Sequence, residues 1–223
     1  MSNGMNKVNG PTEMPPQMVA GNLGLFSGHK RPEILIKLKT ETDTLHHKLQ
    51  VNKVFEGLFT STPSVNRYIE LLKKFLGFYS ILEANIACTK ELNELGFDFE
   101  ERRKTHFIEK DLRILGLTED ELLNLPKCSD LPRVSTLGEA LGCIYVLEGA
   151  TLGAQQLARN LNQALGMNEN NGCAFLKCYG DKVGPMFKAF GDFLDSNSSK
   201  YNHEEAIADA KQTFILLDKW LTG

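Results

Sequence analysis

Thirty residues from Leu137 to Gly166, LGEALGCIYVLEGATLGAQQLARNLNQALG, hold no proline and place glycines at 138, 142, 149 and 153. Apolar residues recur there at helical spacing, and Thr136 and Glu139 stand at capping-box spacing, so one long helix is predicted. The glycine offsets of 0, 4, 11 and 15 fall within about 60° of one another on a 3.6-residue period. Each helix-interior glycine costs roughly 1 kcal/mol relative to Ala, so a stripe of four needs a reason. Two readings stand side by side. The small residues let another helix approach closely, or they present bare backbone against which a flat ligand lies. Glycines here also let the helix bend and open a pocket.

The rest of the chain reads as helix almost throughout from Pro32 onward. ILIKLKTETDTLHHKLQ has helical apolar spacing. STPSVNRYIELLKKFLGFYSILEANIACTKELNEL opens with Thr62 as N-cap and Pro63 at the first helical position. FDFEERRKTHFIEKDLRILG reads as a further helix stopped near Gly116, and Thr118 with Glu121 caps a short helix ended by Pro126. DKVGPMFKAFGDFLD and HEEAIADAKQTFILLDKWL complete the set. No Asn-Gly or Asp-Gly turn joins two alternating runs, and no 20–50-residue period recurs, so hairpins and solenoids have no support. Residues 1–30, rich in Gly, Asn and Pro, read as a flexible N-terminal arm from which Leu23, Leu25 and Phe26 can dock. Residues 31–223 read as a single all-α domain.

Composition narrows the function. The chain has 223 residues, 42% apolar and 24% charged, with 25 Lys+Arg against 28 Asp+Glu and a formal net charge of −3. That balance argues against bulk nucleic-acid binding, which needs a clustered basic surface. No apolar run reaches the roughly 18 residues of a membrane span. The opening residues lack a signal-peptide core, and the closing TFILLDKWLTG carries no apolar tail, so a soluble, cytoplasmic protein without a membrane anchor is expected. The five cysteines are odd in number and form no CxxC pair, which leaves a disulfide framework or structural zinc site unsupported. Cys88 and Cys143 lie in apolar helical stretches and are expected to pack as small hydrophobes.

In LKTETDTLHHKL, residues Lys39, Thr42 and His46 are three and then four apart and share one helix face. A neutral helical imidazole is a good axial ligand for haem iron. A lysine nearly two turns away on the same face can pair with a propionate at the porphyrin edge. His47 points about 100° away and competes with His46 for the ligand role. A ligand-capable His face and a glycine-lined face together describe a planar cofactor held between two helices.

These residues resemble the haem oxygenases, most closely the bacterial biliverdin-producing ones. LKTETDTLHHKL is similar to the proximal-helix motif, in which a Leu-Arg/Lys pair precedes a Thr and then the haem-ligating His. YVLEGATLGAQQLAR is similar to the distal helix, whose two glycines lie over the haem. Weaker likenesses run through YIELLKKFLGFYSILE, RRKTHFIEKDLRILG and TFILLDKW, so the resemblance spans about residues 32–222. It implies a haem oxygenase-like fold with haem between a proximal and a kinked distal helix. It also implies that haem is both cofactor and substrate, with O2 as co-substrate, cleaved to biliverdin, carbon monoxide and ferrous iron. On this match His46 is the proximal iron ligand and Gly149 and Gly153 the distal backbone. Lys39, Thr42, Tyr145 and Lys188 are the cofactor-binding side chains.

Two positions depart from the family pattern. An Asp that often follows the first distal glycine and holds the proton-delivering waters is here Ala150, which leaves Thr151 and Gln155 to organise them. The Arg that often faces a propionate one turn beyond Lys188 is replaced by Gly191-Asp192. No dinucleotide-binding GxGxxG follows a strand, so electrons are expected from a ferredoxin or a flavoprotein reductase. Arg102, Arg103 and Lys104 offer a docking face for such a partner, or simply a solvated helix surface. Two other functions fit the same outline. One is a non-catalytic haem carrier. The other is a thiaminase-like helical enzyme using Cys143 as nucleophile beside Glu139 and Glu148. Paired Glu-x-x-His motifs of a di-iron bundle are absent from the sequence.

Overall fold

The computed structural model describes residues 31–223; the arm assigned to residues 1–30, with Leu23, Leu25 and Phe26, lies outside the described residues. Among the described residues there are eight α-helices, three short 3₁₀ turns and no strand. They are α1 (Glu33–Gln50), α2 (Val65–Ala87), α3 (Lys90–Glu94), α4 (Thr105–Ile114), α5 (Glu119–Leu123), α6 (Leu137–Leu165), α7 (Val183–Ser196) and α8 (His203–Thr222). The long glycine-bearing segment forms one uninterrupted helix, α6, opened by the Thr136–Glu139 capping box and closed by Gly166 in the left-handed conformation at φ 68°. The predicted capping box at Thr118–Glu121 also forms.

Two boundaries differ from expectation. Ser64, not Thr62, caps α2, because its hydroxyl accepts from the Arg67 N–H. The helix expected over residues 97–116 is broken at Arg103, whose backbone is extended. The cause is tertiary: the buried Glu83 carboxylate of α2 accepts the backbone N–H groups of Lys104 and Thr105 and the Thr105 hydroxyl. A carboxylate from another helix thereby caps α4, at the end where the helix dipole favours negative charge.

The apolar helix α6 lies in the centre and packs most extensively against α8, which in turn packs against α1. The glycine stripe explains the first of these contacts only in part. A Cβ added at Gly138 would lie 2.8 Å from the Asn202 carbonyl, and one at Gly142 would run into the backbone of α8 at Ala206 and Ala210. These two glycines let the helices meet backbone to backbone. At Gly149 a Cβ would meet no atom within 4 Å. The stripe therefore divides, with close packing at one end and open space at the other.

The division makes a paired prediction. Gly142→Ala is expected to destabilise the fold by about 1–3 kcal/mol, because backbone atoms give way less readily than side-chain tips. Gly149→Ala is expected to stabilise the ligand-free fold by up to about 1 kcal/mol through helix propensity alone. Urea midpoints of the two variants would show opposite signs, and equal signs would mean that the two ends of the stripe are alike.

Cys143 is buried as expected, whereas Cys88 is exposed at the end of α2. The apolar spacing of α2 runs out one residue before it, so its neighbours no longer turn it inward. No helix among the described residues is long and apolar enough to cross a membrane.

Candidate active site

α1 and α6 face each other across a cleft lined mainly by apolar and aromatic side chains. From α1 the walls receive Leu35, Lys39, Thr42, Asp43, His46, Leu49 and Gln50, and from α6 the run Tyr145–Val146 and then Gly149–Ala154. Phe187 of α7 and Phe214 of α8 add further apolar wall. The expected His46, Lys39, Thr42, Tyr145, Gly149, Gly153 and Thr151 thus converge on one cavity.

The choice between the two histidines is decided by what their rings touch. His47 is exposed, with Nδ1 2.8 Å from the Asp43 carbonyl and 3.4 Å from its carboxylate, and it does not line the cleft. His46 lines it, edge-on to Phe214 with ring centroids 5.9 Å apart, and its Nε2 lies 3.4 Å from the Gln50 amide nitrogen. Burial, then the neighbouring His47, pushes the His46 pKa below its ordinary value, with Asp43 opposing. The imidazole is therefore neutral at pH 7, with a lone pair to give to a metal.

On α1, Thr42 is buried and donates its hydroxyl to the Leu38 carbonyl at 2.7 Å, and Tyr145 of α6 lines the same cleft. Burial raises the Tyr145 pKa, so its hydroxyl stays protonated.

Three expected site residues have their polar groups engaged with other partners. Gln155 is turned away from the cleft and donates its amide to the Leu176 carbonyl at 3.1 Å. Thr151 lines the cleft but donates its hydroxyl to the Glu148 carbonyl at 2.7 Å. Lys188 is not among the cleft-lining residues; it meets Asp192 one turn along α7 at 2.6 Å. Departing from the family's Arg at this place, the Gly191-Asp192 pair gives Lys188 a local partner instead.

Nor do Arg102, Arg103 and Lys104 form one exposed face. Arg102 and Lys104 are buried at 7% and 1% exposure, around Glu148 at 1%. Arg102 donates to one Glu148 oxygen at 2.8 Å and Lys104 to the other at 2.8 Å, while the Tyr179 hydroxyl donates to that second oxygen at 2.8 Å. Lys104 also donates to the Arg102 carbonyl, and Arg102 to the Met186 carbonyl. This cluster sits directly behind Gly149, and Lys104 reaches the cleft wall. One signal for it was visible: Glu148 is a lone carboxylate inside an apolar helix, and such a group is buried only when paired.

Cys143 is no nucleophile. It lies in the core, accepts a hydrogen bond from Thr213 at 3.4 Å, and burial pushes its thiol up to about 12. Glu139 is occupied in the capping box and Glu148 in the ion cluster, so the thiaminase-like arrangement fails at every member.

A neutral, half-buried histidine that shares an apolar cleft with helical glycines suits a haem-binding helical fold, and the family comparison agrees. Residues 33–222 match the haem oxygenase (Heme oxygenase) family model. The chain belongs to the haem oxygenase family. Haem oxygenases use haem as both substrate and prosthetic group, with O2 as co-substrate. The fold is similar to that of haem oxygenase from Neisseria meningitidis, solved in its NO- and CO-bound forms. The TM-score is 0.69 and the identity 24%, over 84% of this chain and 89% of that one. Haem oxygenase from Leptospira interrogans gives a TM-score of 0.64 at 19% identity, over 85% of this chain and 98% of that one. No curated protein matches the chain significantly in sequence.

The residues fit the group the family requires. His46 offers a neutral donor, the walls are largely apolar and aromatic, and the space beside Gly149 is clear.

Proposed function

We propose that this haem oxygenase cleaves haem to biliverdin, carbon monoxide and ferrous iron, with O2 and electrons from a ferredoxin or flavoprotein reductase. The observation that carries the reading is the convergence of His46, Gly149 and Gly153 on one cleft, with open space beside Gly149. Bound haem supplies the iron at which O2 is activated and the ring that is cleaved.

The chain's own residues then do four things. His46 holds the iron through a neutral imidazole. Lys39, half-buried at the cleft wall, offers its ammonium to a propionate. Gly149 and Gly153 present backbone where any side chain would take the space needed by O2. Thr42 and Tyr145, on facing helices, would border the ring in the cleft. With the Thr151 hydroxyl, the Gln155 amide and the Lys104 ammonium engaged elsewhere, the polar side chains left on the walls opposite α1 are Tyr79 and Tyr145.

The test is an absorption time course of purified protein with haemin, then ascorbate or a ferredoxin system. A decaying Soret band with rising broad biliverdin absorption is expected. Ala150, which removes the family's usual distal carboxylate, favours one competing reading, a haem carrier. A Soret band that persists under reductant and O2 would establish it.

A further inference from the structure

Helix α8 lies alongside α1 in one fixed register, although most of the chain separates them in sequence. Three polar pairs join them, Glu41 with Lys211, Lys48 with Asp218 and Asn52 with Thr222, and in each pair the partners are 170 residues apart. A constant offset means that the helices run parallel and that neither has slipped along the other. Between the first two rungs His46 meets Phe214 edge-on. Register matters at this place because a slip of one residue turns every side chain by about 100° and moves it by about 1.5 Å. Such a slip takes the His46 ring off Phe214.

The rungs are unequal. Glu41 and Lys211 are open to solvent, where an ion pair contributes little. Asp218, one turn beyond Phe214, is only 9% exposed, and both of its carboxylate oxygens are occupied. One accepts from the Asn52 amide at 2.8 Å and the other from the Lys48 ammonium at 2.8 Å. The Lys48 side chain is largely in water, so its attraction is screened. Asn52 is held on every side. Its amide also reaches the Asp218 carbonyl at 3.3 Å and the Thr222 hydroxyl at 2.9 Å, and its side-chain oxygen accepts the Val54 N–H at 3.0 Å. Asn52 stands two residues past the end of α1, and its backbone N–H returns to the Leu49 carbonyl at 3.1 Å. Holding Asn52 therefore holds the last turns of the helix that carries His46. Apolar side chains tolerate sliding, whereas a directional bond to a buried carboxylate does not.

We infer that Asp218 is a positioning residue for the iron ligand, acting through its hydrogen bond to Asn52 to fix the register of α1 on α8 and so the place of His46 against Phe214. This rests on the haem reading above and adds to it a residue that does not line the cleft.

The full chain and three variants are compared by haemin titration at the Soret band and by the iron–histidine stretching band of the ferrous, O2-free complex in resonance Raman. Urea midpoints of the haem-free proteins are measured alongside. Asp218→Ala is expected to weaken haemin binding about tenfold, as the loss of an outer partner of a metal ligand does, and to shift or broaden the iron–histidine band. Asp218→Asn keeps an oxygen for Asn52 and gives up the screened Lys48 pairing, so it is expected to stay within about threefold of wild type with the band unmoved. Asn52→Ala removes the same bond from the other side at a half-buried position, and it is expected to reproduce the Asp218→Ala shift even where that variant folds too poorly to be loaded. A merely structural contact would lower the urea midpoints of Asp218→Ala and Asn52→Ala while leaving haemin affinity and the iron–histidine band unchanged. That result would overturn the inference and leave the haem reading intact. So would equal losses in Asp218→Asn and Asp218→Ala, since Asn52 would then not be the link. A wild-type chain whose haemin shows no Soret shift would overturn the haem reading and this inference with it.

Discussion

His46→Ala is expected to abolish the histidine-ligated ferric haem spectrum and bring haem degradation to background, whereas His47→Ala is expected to leave both near wild type. The asymmetry follows from one turn of helix. His46 is inside the cleft against Phe214, and His47 is outside it against Asp43. His46 also leaves a signature in the haem-free protein. Its folded pKa lies below the ordinary 6.5, so the folded chain binds fewer protons than the unfolded one between the two values. Stability contributed by the neutral ring is present above that interval and declines as pH falls through it. His46→Ala is expected to flatten this part of the stability–pH curve. Urea midpoints between pH 5 and 7.5, with absorption spectra of haemin-loaded samples, would check both claims. A histidine-type spectrum that disappears in His47→Ala instead would move the ligand by one residue.

Glu148→Ala is expected to destabilise the fold by about 3–5 kcal/mol, because it strands Arg102 and Lys104 in the interior without their counter-ion. For a chain of this size that is on the order of 10 °C in Tm. An exposed pair serves as the internal control. Lys219 and Asp130 lie 2.7 Å apart with side chains 70% and 58% exposed, and Asp130→Ala should cost no more than about 1 kcal/mol. Equilibrium urea unfolding at pH 7 would measure both. A loss below about 1 kcal/mol for Glu148→Ala would mean that the cluster relaxes or hydrates when its carboxylate is removed. Because Glu148 immediately precedes Gly149, the same cluster fixes the height of the distal backbone over the cleft. Loosening it is expected to weaken haem binding as well as the fold.

Much of the architecture was legible because local signals and tertiary structure agree in it. Two capping boxes, a glycine at a helix end and sustained apolar periodicity marked out α5, α6, α7 and α8. The 3.6-residue period also placed Lys39, Thr42 and His46 on one helix face and the glycines of α6 on another, and the family resemblance added Tyr145; all but Gly138 and Gly142 line the same cleft. Errors arose where a side chain's fate depends on a distant partner. Gln155 and Lys188 are ordinary polar residues on helices, and nothing local distinguishes a cleft from a carbonyl or an aspartate as their target. The run Arg102-Arg103-Lys104 looked like surface because consecutive charges usually are solvated. Arg102 and Lys104 are buried because Glu148, more than forty residues away in sequence, supplies the carboxylate both need, while Glu83 from α2 pairs with Arg103 and accepts the Lys104 backbone N–H.

Residue spacing by itself determined an all-α chain and two helix faces able to hold a planar ligand, since both depend only on helix geometry and on the residue types along it. Which histidine enters the cleft, and which glycines serve packing and which serve the ligand, were decided by the tertiary structure alone. A helix sets the direction in which each side chain leaves its axis. The helices packed against it supply the carboxylate, the ring, the carbonyl or the open space that the side chain then meets, and that neighbour determines its chemistry.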